Sequence, residues 1–256
     1  MRALMPVLAL PLLFTLPLDA QDFRWQGALA AGKTLEVRGI NGRIRATRAD
    51  GAQALVTATK RARDDDPAEV EIQVVEHADG VTICAVYPSR RGGRANECRH
   101  GGGTMNTRDN DVEVLFEVQV PAGVHFEGSN VNGDVTGTGL PGNADITTVN
   151  GDVTVSAAGE VEATTVNGSI DATLGARALE RSLKFTTVNG GITVTLPDGA
   201  SADVEASTVN GGIDTDFPIN VTGRVNPRSL RGRIGAGGRS LELTTVNGGI
   251  RIRRGR

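Results

Sequence analysis

Thr244-Thr245-Val246-Asn247-Gly248 is the stretch of sequence that decides the fold of this chain. The same five residues recur along the C-terminal half, each time followed by one further residue and then by Val or Ile. A unit that recurs at a roughly fixed period is the signature of a repeat architecture. Complete copies lie at 147–151, 164–168, 186–190 and 244–248, the copy at 207–211 begins with Ser, and looser copies lie at 130–133 and 39–42.

The spacing of these units predicts the architecture. Counted between their Asn residues, successive units lie 17 to 22 residues apart, except for a last step of 37 residues that contains 230–234 as a degenerate copy. An isolated Asn-Gly would predict a β-hairpin, whereas recurrence in one register favours turns of chain stacked about 4.7–4.9 Å apart. We therefore predict an all-β fold, a β-solenoid of about seven or eight stacked turns of roughly 16–22 residues, with a β-rich N-terminal portion.

Each Asn-Gly pair predicts a corner between two short strands, because Asn and Gly adopt positive φ most readily. Identical Asn side chains stacked in successive turns can also form a hydrogen-bonded ladder. We therefore assign these residues to the fold. The predicted corner residues are Asn132, Gly133, Asn150, Gly151, Asn167, Gly168, Asn189, Gly190, Asn210, Gly211, Asn247 and Gly248.

The alternation of side chains near the corner predicts which of them face solvent. Successive side chains of a strand point to opposite faces, and this rule places the second Thr and the Asn of each unit inside and the first Thr outside. The Val between them follows the outward phase by the same rule, but a bulge at the corner would turn it inward, and we favour the inward position. The outward residues form a candidate binding stripe of Thr147, Thr164, Thr186, Ser207 and Thr244.

Residues 1–20 read as a secretory signal peptide, since the positive charge of Arg2 precedes an apolar run from Leu4 to Leu18, after which Ala20 offers a small residue at the cleavage site. The run is short and contains three prolines, which argues against a transmembrane helix. We expect an extracytoplasmic protein (periplasmic, cell-surface or secreted) with no transmembrane segment after cleavage. The mature chain then divides into a β-rich portion at 21–123 and the repeat β-solenoid at 124–256, which continues from it.

Cys84 and Cys98 are the two cysteines of the chain. In an oxidising compartment an even count favours a disulfide, which here would close a loop of about 15 residues and contribute roughly 3 kcal/mol. The alternative is a metal site that adds His100, but this spacing matches no common zinc pattern. We predict the disulfide.

Composition and motifs argue against a catalytic site. The formal net charge of −3 gives no electrostatic case for a nucleic-acid partner. The chain has no Gly-x-Ser-x-Gly, His-Glu-x-x-His or phosphate-binding glycine loop, and His77, His100 and His125 are scattered along it. Asp134 and Asp152 follow equivalent corners and could bind a cation or a glycan, but we favour a polar corner role. We therefore predict no enzyme, no metal site and no cofactor.

The tail at 251–256 is basic, with Arg at four of its six positions. Such a tail could contact an anionic surface. We favour a structural role, in which the charges protect the open edge of the last turn from pairing with another chain.

The sequence resembles a widespread bacterial group of secreted domains of unknown function, the putative adhesins. The resemblance rests on the Thr-Thr-Val-Asn-Gly units, on Val-Pro-Ala-Gly-Val at 120–124 and on the C-terminal pattern from Gly232 to Ile250, and it covers roughly Gly32 to Arg254. It implies an all-β, solenoid-like fold at the cell envelope. No site residue is carried over from the family.

The expected function is that of a non-catalytic adhesion or surface-binding module, with a cell-surface glycan or an envelope protein as partner. A structural envelope scaffold without a dedicated ligand is a close alternative. A glycan-active β-helix enzyme is a more distant one, because it would require a cluster of carboxylates in a groove.

Overall fold

The fold is given by a computed structural model that describes residues 23–89, 96–102, 107, 110–175, 182–221 and 226–255. The predicted signal peptide at 1–20 lies outside these residues. Within them the chain forms β-strands and one short 3-10 helix, Pro67–Glu69, which confirms the predicted all-β class. No helix in this part of the chain is long and apolar enough to cross a membrane.

The described residues form 21 strands that belong to two sheets. The strands before the repeats are β1 (Phe23–Ala28), β2 (Thr34–Arg38), β3 (Gly42–Arg48), β4 (Gln53–Arg61), β5 (Glu71–His77), β6 (Gly80–Val86) and β7 (Glu113–Val120). Those that follow are β8 (His125–Ser129), β9 (Val135–Leu140), β10 (Ala144–Thr147), β11 (Val153–Ala157), β12 (Val161–Thr164), β13 (Ile170–Leu174), β14 (Leu183–Thr186), β15 (Ile192–Leu196), β16 (Ala202–Asn210), β17 (Ile213–Thr215), β18 (Ile219–Val221), β19 (Ser229–Ile234), β20 (Ser240–Asn247) and β21 (Ile250–Arg254).

Each turn of the chain, here called a coil, contributes one strand to sheet B and the next strand to sheet A. Sheet A has the order β1-β4-β7-β3-β9-β11-β13-β15-β21-β17, and sheet B has the order β18-β19-β16-β20-β14-β12-β10-β8-β2-β6-β5. Strands of stacked coils pair in parallel, as β10 does with β12 and β11 with β13. This pairing confirms the predicted β-solenoid.

The coils at the two ends do not stack in chain order. Coil β2/β3 lies between β6/β7 and β8/β9, and coil β20/β21 lies between β14/β15 and β16/β17. The first and the last coil of the chain are therefore inside the stack, each covered on both sides. Antiparallel strands flank the stack, with β1, β4 and β5 at one end. At the other end β18 and β19 cover sheet B, and among the described strands β17 is the edge strand of sheet A.

This order corrects two predictions for the C-terminal region. Residues 230–234 were expected to form a degenerate repeat, but they belong to β19, which pairs antiparallel with β16 and is not a stacked coil. The basic tail was expected to protect an open edge, but β21 hydrogen-bonds with β15 on one side and with β17 on the other. Its Arg253 and Arg254 lie 3.5 Å from Asp216 and 3.6 Å from Asp198. The edge prediction fails because the last repeat unit packs directly on the unit at 186–190.

The core lies between the two sheets and follows the side-chain alternation. In β11, Val153 and Val155 are buried whereas Thr154 is exposed. Most buried side chains of both sheets form one continuous hydrophobic cluster, which includes Phe126 and Phe185 of sheet B. A second, small cluster surrounds the Cys84–Cys98 pair. A two-layer core of mostly β-branched residues suits a chain with only 3% aromatic residues.

A disulfide joins Cys84 and Cys98, whose Cα atoms are 5.7 Å apart. Cys84 is fully buried in β6, so the bond holds the segment that follows Cys98 close to this end of sheet B. Much of the Gly- and Arg-rich loop between the two cysteines, at 90–95, lies outside the described residues.

Candidate functional site: the stacked corners

The second Thr of each repeat unit joins neighbouring coils. Its side chain is at most 4% exposed, and its hydroxyl donates a hydrogen bond of 2.8–3.1 Å to the carbonyl oxygen of the corner Gly in the adjacent coil. The inward position agrees with the alternation, and the bond satisfies a hydroxyl that would be costly to bury alone. The pairs are Thr148 with Gly133, Thr165 with Gly151, Thr187 with Gly168, Thr245 with Gly190 and Thr208 with Gly248.

The corner Gly is required for a different reason from the predicted one. A Cβ atom on Gly168 would overlap the carbonyl oxygen of Gly151 in the adjacent coil. Only the first of the six predicted corner glycines, Gly133, has φ in the left-handed region, at 133°. Close packing of coil on coil, more than positive φ, therefore excludes a side chain here. A Cβ atom on each of the other predicted corner glycines would overlap a carbonyl oxygen in the same way, and these glycines are Gly133, Gly151, Gly190, Gly211 and Gly248.

The Asn residues form a continuous ladder, but on the outside of the solenoid. The side-chain amide of each of the six predicted corner Asn residues donates to the side-chain oxygen of the Asn in an adjacent coil over 2.8–2.9 Å, and these six side chains are exposed. The predicted inward position was therefore wrong. Asn41, which was not among the predicted corner residues, is the first member. In spatial order the ladder is Asn41, Asn132, Asn150, Asn167, Asn189, Asn247 and Asn210.

The Val of each unit also faces solvent, so the favoured inward position was wrong as well. The repeat valines are 36–53% exposed, and they are the exposed large hydrophobic residues among those that the structure describes. In the units at 147–151, 164–168 and 186–190 the strand ends at the first Thr. In all five units two successive side chains, Val and Asn, point outward at the corner. The valine row is Val149, Val166, Val188, Val246 and Val209.

The first Thr of each unit lies on the outer face of sheet B. Thr147 and Ser207 are exposed, and Thr164, Thr186 and Thr244 are partly exposed. Parallel pairing places these hydroxyls in register from coil to coil. The hydroxyl row, the valine row and the asparagine row run side by side along the stack, and we call the three together the corner stripe.

A row of carboxylates runs parallel to the hydroxyl row, two residues earlier in each coil. The strand register places the outward side chains next to one another. Sequence analysis missed this row, although the signal is simple: an acidic residue usually stands two positions before the outward Thr or Ser. The acidic row is Glu36, Glu127, Asp145, Glu162, Glu242 and Glu205, with Lys184 between Glu162 and Glu242.

The carboxylates of this row titrate differently from one another. Burial, and then the adjacent Glu162 and Glu127 carboxylates, raise the pKa of Asp145 to about 6. A hydrogen bond from His125, whose Nε2 lies 3.4 Å from Glu127 Oε1, lowers the pKa of Glu127. A pair of carboxylates with separated pKa values is a feature of glycosidases. Here, however, both project from neighbouring strands on one face of one sheet, so they stand side by side and do not flank a bond from opposite sides.

Asp134 and Asp152 serve the corner. Asp134 Oδ1 accepts a 2.8 Å hydrogen bond from the backbone N–H of Asp152, and Asp152 Oδ1 accepts one of 2.7 Å from that of Ser169. Each carboxylate thus caps a backbone amide of the next coil. This arrangement supports the polar corner role over a cation site.

The histidines are less scattered in space than in sequence. The rings of His77 and His100 stack with their centroids 3.7 Å apart, and His100 Nε2 lies 3.6 Å from Asp79 Oδ2. All three histidines, including His125, act electrostatically on Glu127. The disulfide brings His100 to this place, and the sequence spacing contains no sign of it.

Comparison with known proteins bears on the repeat region. Residues 131–253 match the family model Toastrack DUF4097, which confirms the family resemblance drawn from the repeat units. A comparison with curated proteins gives no significant match.

Similar solved structures include a putative cell adhesion protein from Clostridium sporogenes, with 12% identity, a TM-score of 0.47, and coverage of 91% of this chain and 99% of that one. A putative adhesin from Bacteroides fragilis is also similar, with 12% identity, a TM-score of 0.32, and coverage of 91% and 96%.

Proposed function

We propose that this chain, whose residues 131–253 match the Toastrack family model, is a non-catalytic extracytoplasmic module that binds a cell-surface glycan or an envelope protein through the corner stripe. The observation that carries the proposal is the valine row. Five valines at equivalent positions are 36–53% exposed, whereas the other large hydrophobic residues described are buried or partly buried. Contiguous exposed apolar surface marks interaction sites in soluble proteins.

The rows beside the valines supply the polar half of a binding surface. Each Asn amide uses one N–H in the ladder, which leaves a second N–H and a carbonyl lone pair directed to solvent. The hydroxyls on the other side can both donate and accept. An apolar ridge between two rows of hydrogen-bonding groups suits a ligand with alternating apolar and polar surface, such as a polysaccharide or an extended peptide.

The location is supported by the disulfide and by the predicted signal peptide. Disulfides persist in oxidising compartments outside the cytoplasm, and Cys84 and Cys98 are bonded. The proposal therefore retains residues 1–20 as a cleaved export signal and places the remaining chain in the periplasm, at the cell surface or in the medium.

A structural scaffold without a dedicated ligand is favoured by one specific observation. The side chains of the Asn ladder and the buried Thr residues already form hydrogen bonds that join adjacent coils, so these residues have a structural role that needs no ligand. In this second candidate function the corner stripe only stabilises the fold and binds no ligand. Charged residues introduced into the stripe would then leave the association with the envelope unchanged.

The test is capture on a glycan array and from a solubilised envelope fraction, with wild type compared with the double variant Val166→Lys/Val188→Lys. If the corner stripe is the binding surface, we expect at least a tenfold loss of binding in the variant, because two lysine charges would be placed in the valine row. The matched control is Thr154→Lys/Thr173→Lys, which adds the same charges to exposed positions of sheet A and should bind like wild type. Equal binding by all three proteins contradicts the proposal, as does turnover of any captured polysaccharide.

A further inference from the structure

We propose that His77, Asp79 and His100 form a binding site for a divalent transition metal, with Zn²⁺ as the ion of choice. The site lies at the end of sheet B away from the repeat corners, and it is independent of the function proposed for the corner stripe. One potential ligand atom from each residue lies within 4.8 Å of the others. Two imidazoles and one carboxylate are a ligand set that Zn²⁺ takes in catalytic and surface sites alike.

The backbone brings the three side chains together from two places in the sequence. His77 ends β5, and Asp79 lies in the tight turn that leads to β6. His100 comes from the segment after Cys98, which the disulfide to Cys84 fixes beside the same hairpin. His100 Nε2 lies 3.6 Å from Asp79 Oδ2, close to the roughly 3.4 Å that separates two ligands of a tetrahedral Zn²⁺ with bonds of about 2.1 Å.

A buried hydrogen-bond chain behind His77 fixes which of its nitrogens can bind a metal. Thr82, fully buried, donates its hydroxyl hydrogen to Glu36 Oε2 over 2.6 Å. The hydroxyl oxygen of Thr82, Oγ1, lies 3.2 Å from His77 Nε2. Since the Thr82 hydroxyl hydrogen is already used, Oγ1 must accept a hydrogen bond from an Nε2–H of His77. His77 therefore presents Nδ1 with a lone pair, which now takes only a 3.3 Å bond from the backbone N–H of Asp79.

This chain of groups is the usual support of a metal-binding histidine. Such residues donate their second ring N–H to a carboxylate, a carbonyl or a hydroxyl group, which orients the ring and raises its basicity. Glu36 is itself held, with its Oε1 3.7 Å from Arg38 Nε. The support is buried, whereas the three proposed ligands are partly or fully exposed, so the ion can enter from solvent.

The rings of His77 and His100 are stacked at an interplanar angle of 26°, so they must tilt out of the stack before both can direct a ring nitrogen at one ion. His100 lies outside the strands and pairs with Asp79 at the surface, so this adjustment needs no movement of the sheet. Three protein ligands leave one tetrahedral position for water or for a group from another molecule.

The test is isothermal titration of the purified protein with ZnCl₂, with thermal unfolding measured in parallel. We expect one Zn²⁺ per chain, a rise in the melting temperature with Zn²⁺ and its reversal by a chelator. His77→Gln and His100→Gln should each lower the affinity at least tenfold, since even the loss of a supporting group costs about that much. Ca²⁺ and Mg²⁺, which prefer oxygen ligands, should not bind at the same concentrations.

His125→Gln is the matched control, because His125 faces Glu127 and is not one of the three proposed ligands. It should bind Zn²⁺ like wild type. Because His100 lies outside the strands, the His100→Gln protein should fold, and it provides the test if the His77→Gln protein does not. The assignment is overturned by no saturable Zn²⁺ binding, by undiminished binding in His100→Gln, by equal binding of Ca²⁺, or by an equal loss in His125→Gln.

Discussion

At the scale of single residues, each position of Thr-Thr-Val-Asn-Gly has its own physical task. In the unit 186–190, Thr186 is partly exposed, Thr187 donates to a neighbouring coil, and Gly190 leaves room for the backbone of that coil. The period of two was enough to predict both Thr positions. It failed for Val188 and Asn189 because it holds only while the chain is extended, and the sequence does not show where that conformation ends.

Gly168→Ala tests the packing role of the corner glycine. The added Cβ would overlap the carbonyl oxygen of Gly151, so we expect a loss of about 1–3 kcal/mol in the free energy of unfolding, as for other overpacked positions. Denaturant unfolding followed by circular dichroism measures it.

Gly212→Ala is the control for that experiment. Gly212 lies one residue past a corner, its Cβ would meet no atom within 4 Å, and its φ is not left-handed. The substitution should change stability by less than about 0.5 kcal/mol. An equal loss in both variants would mean that flexibility of the chain, and not close packing of coils, explains the glycine.

At the scale of strands, the outer face of sheet B carries two parallel rows, one acidic and one of hydroxyls. Both could have been read from the sequence by aligning units on their Asn, since Asp145, Glu162, Glu205 and Glu242 fall at the same offset. Their titration could not be read, because it depends on how deeply each carboxylate sits and on the pairing of Asp145 with both Glu127 and Glu162.

Asp145→Asn should stabilise the protein at neutral pH. The pKa of Asp145 is raised to about 6 in the folded chain, mainly by burial and then by Glu162 and Glu127. A raised carboxyl pKa contributes stability below the unfolded value near 4 and loses it as pH rises through 6. Asn cannot ionise, so the variant should gain about 1 kcal/mol over wild type above pH 6, after allowance for solvent screening.

Denaturant unfolding of both proteins at pH 4 and pH 7.5 checks this. The difference in unfolding free energy between variant and wild type should grow by that amount from the lower to the higher pH. A difference that is the same at both pH values would show that neither burial nor the neighbouring carboxylates raise the pKa of Asp145 in the folded chain.

At the scale of the whole molecule, the coils near each end of the stack do not follow chain order. Coil β2/β3 lies between β6/β7 and β8/β9, and coil β20/β21 lies between β14/β15 and β16/β17. The amino-acid sequence predicted the solenoid but not the stacking order of its coils, because repeat units that are nearly identical can pair with one another in any order. The long last step of 37 residues was the one sign of it. It marks the detour through β18 and β19 that lets β20 and β21 return inside the stack.

Amide hydrogen exchange distinguishes the two stacking orders. Strand β21 has partners on both sides, whereas among the described strands β17 has β21 as its single partner in sheet A. The amides of Ile250–Arg254 should exchange at least tenfold more slowly than those of Ile213–Thr215. Faster exchange in Ile250–Arg254 would place the last strand at the edge, as stacking in chain order requires.

The central claim, that the corner stripe is the binding surface, is tested most directly by NMR of the protein labelled with ¹³C at the valine methyl groups. On addition of the ligand recovered by capture, the methyl signals of Val149, Val166, Val188, Val209 and Val246 should shift or broaden. Signals of buried valines such as Val194 should stay in place. Saturating binding that leaves all five corner valines unperturbed would contradict the account.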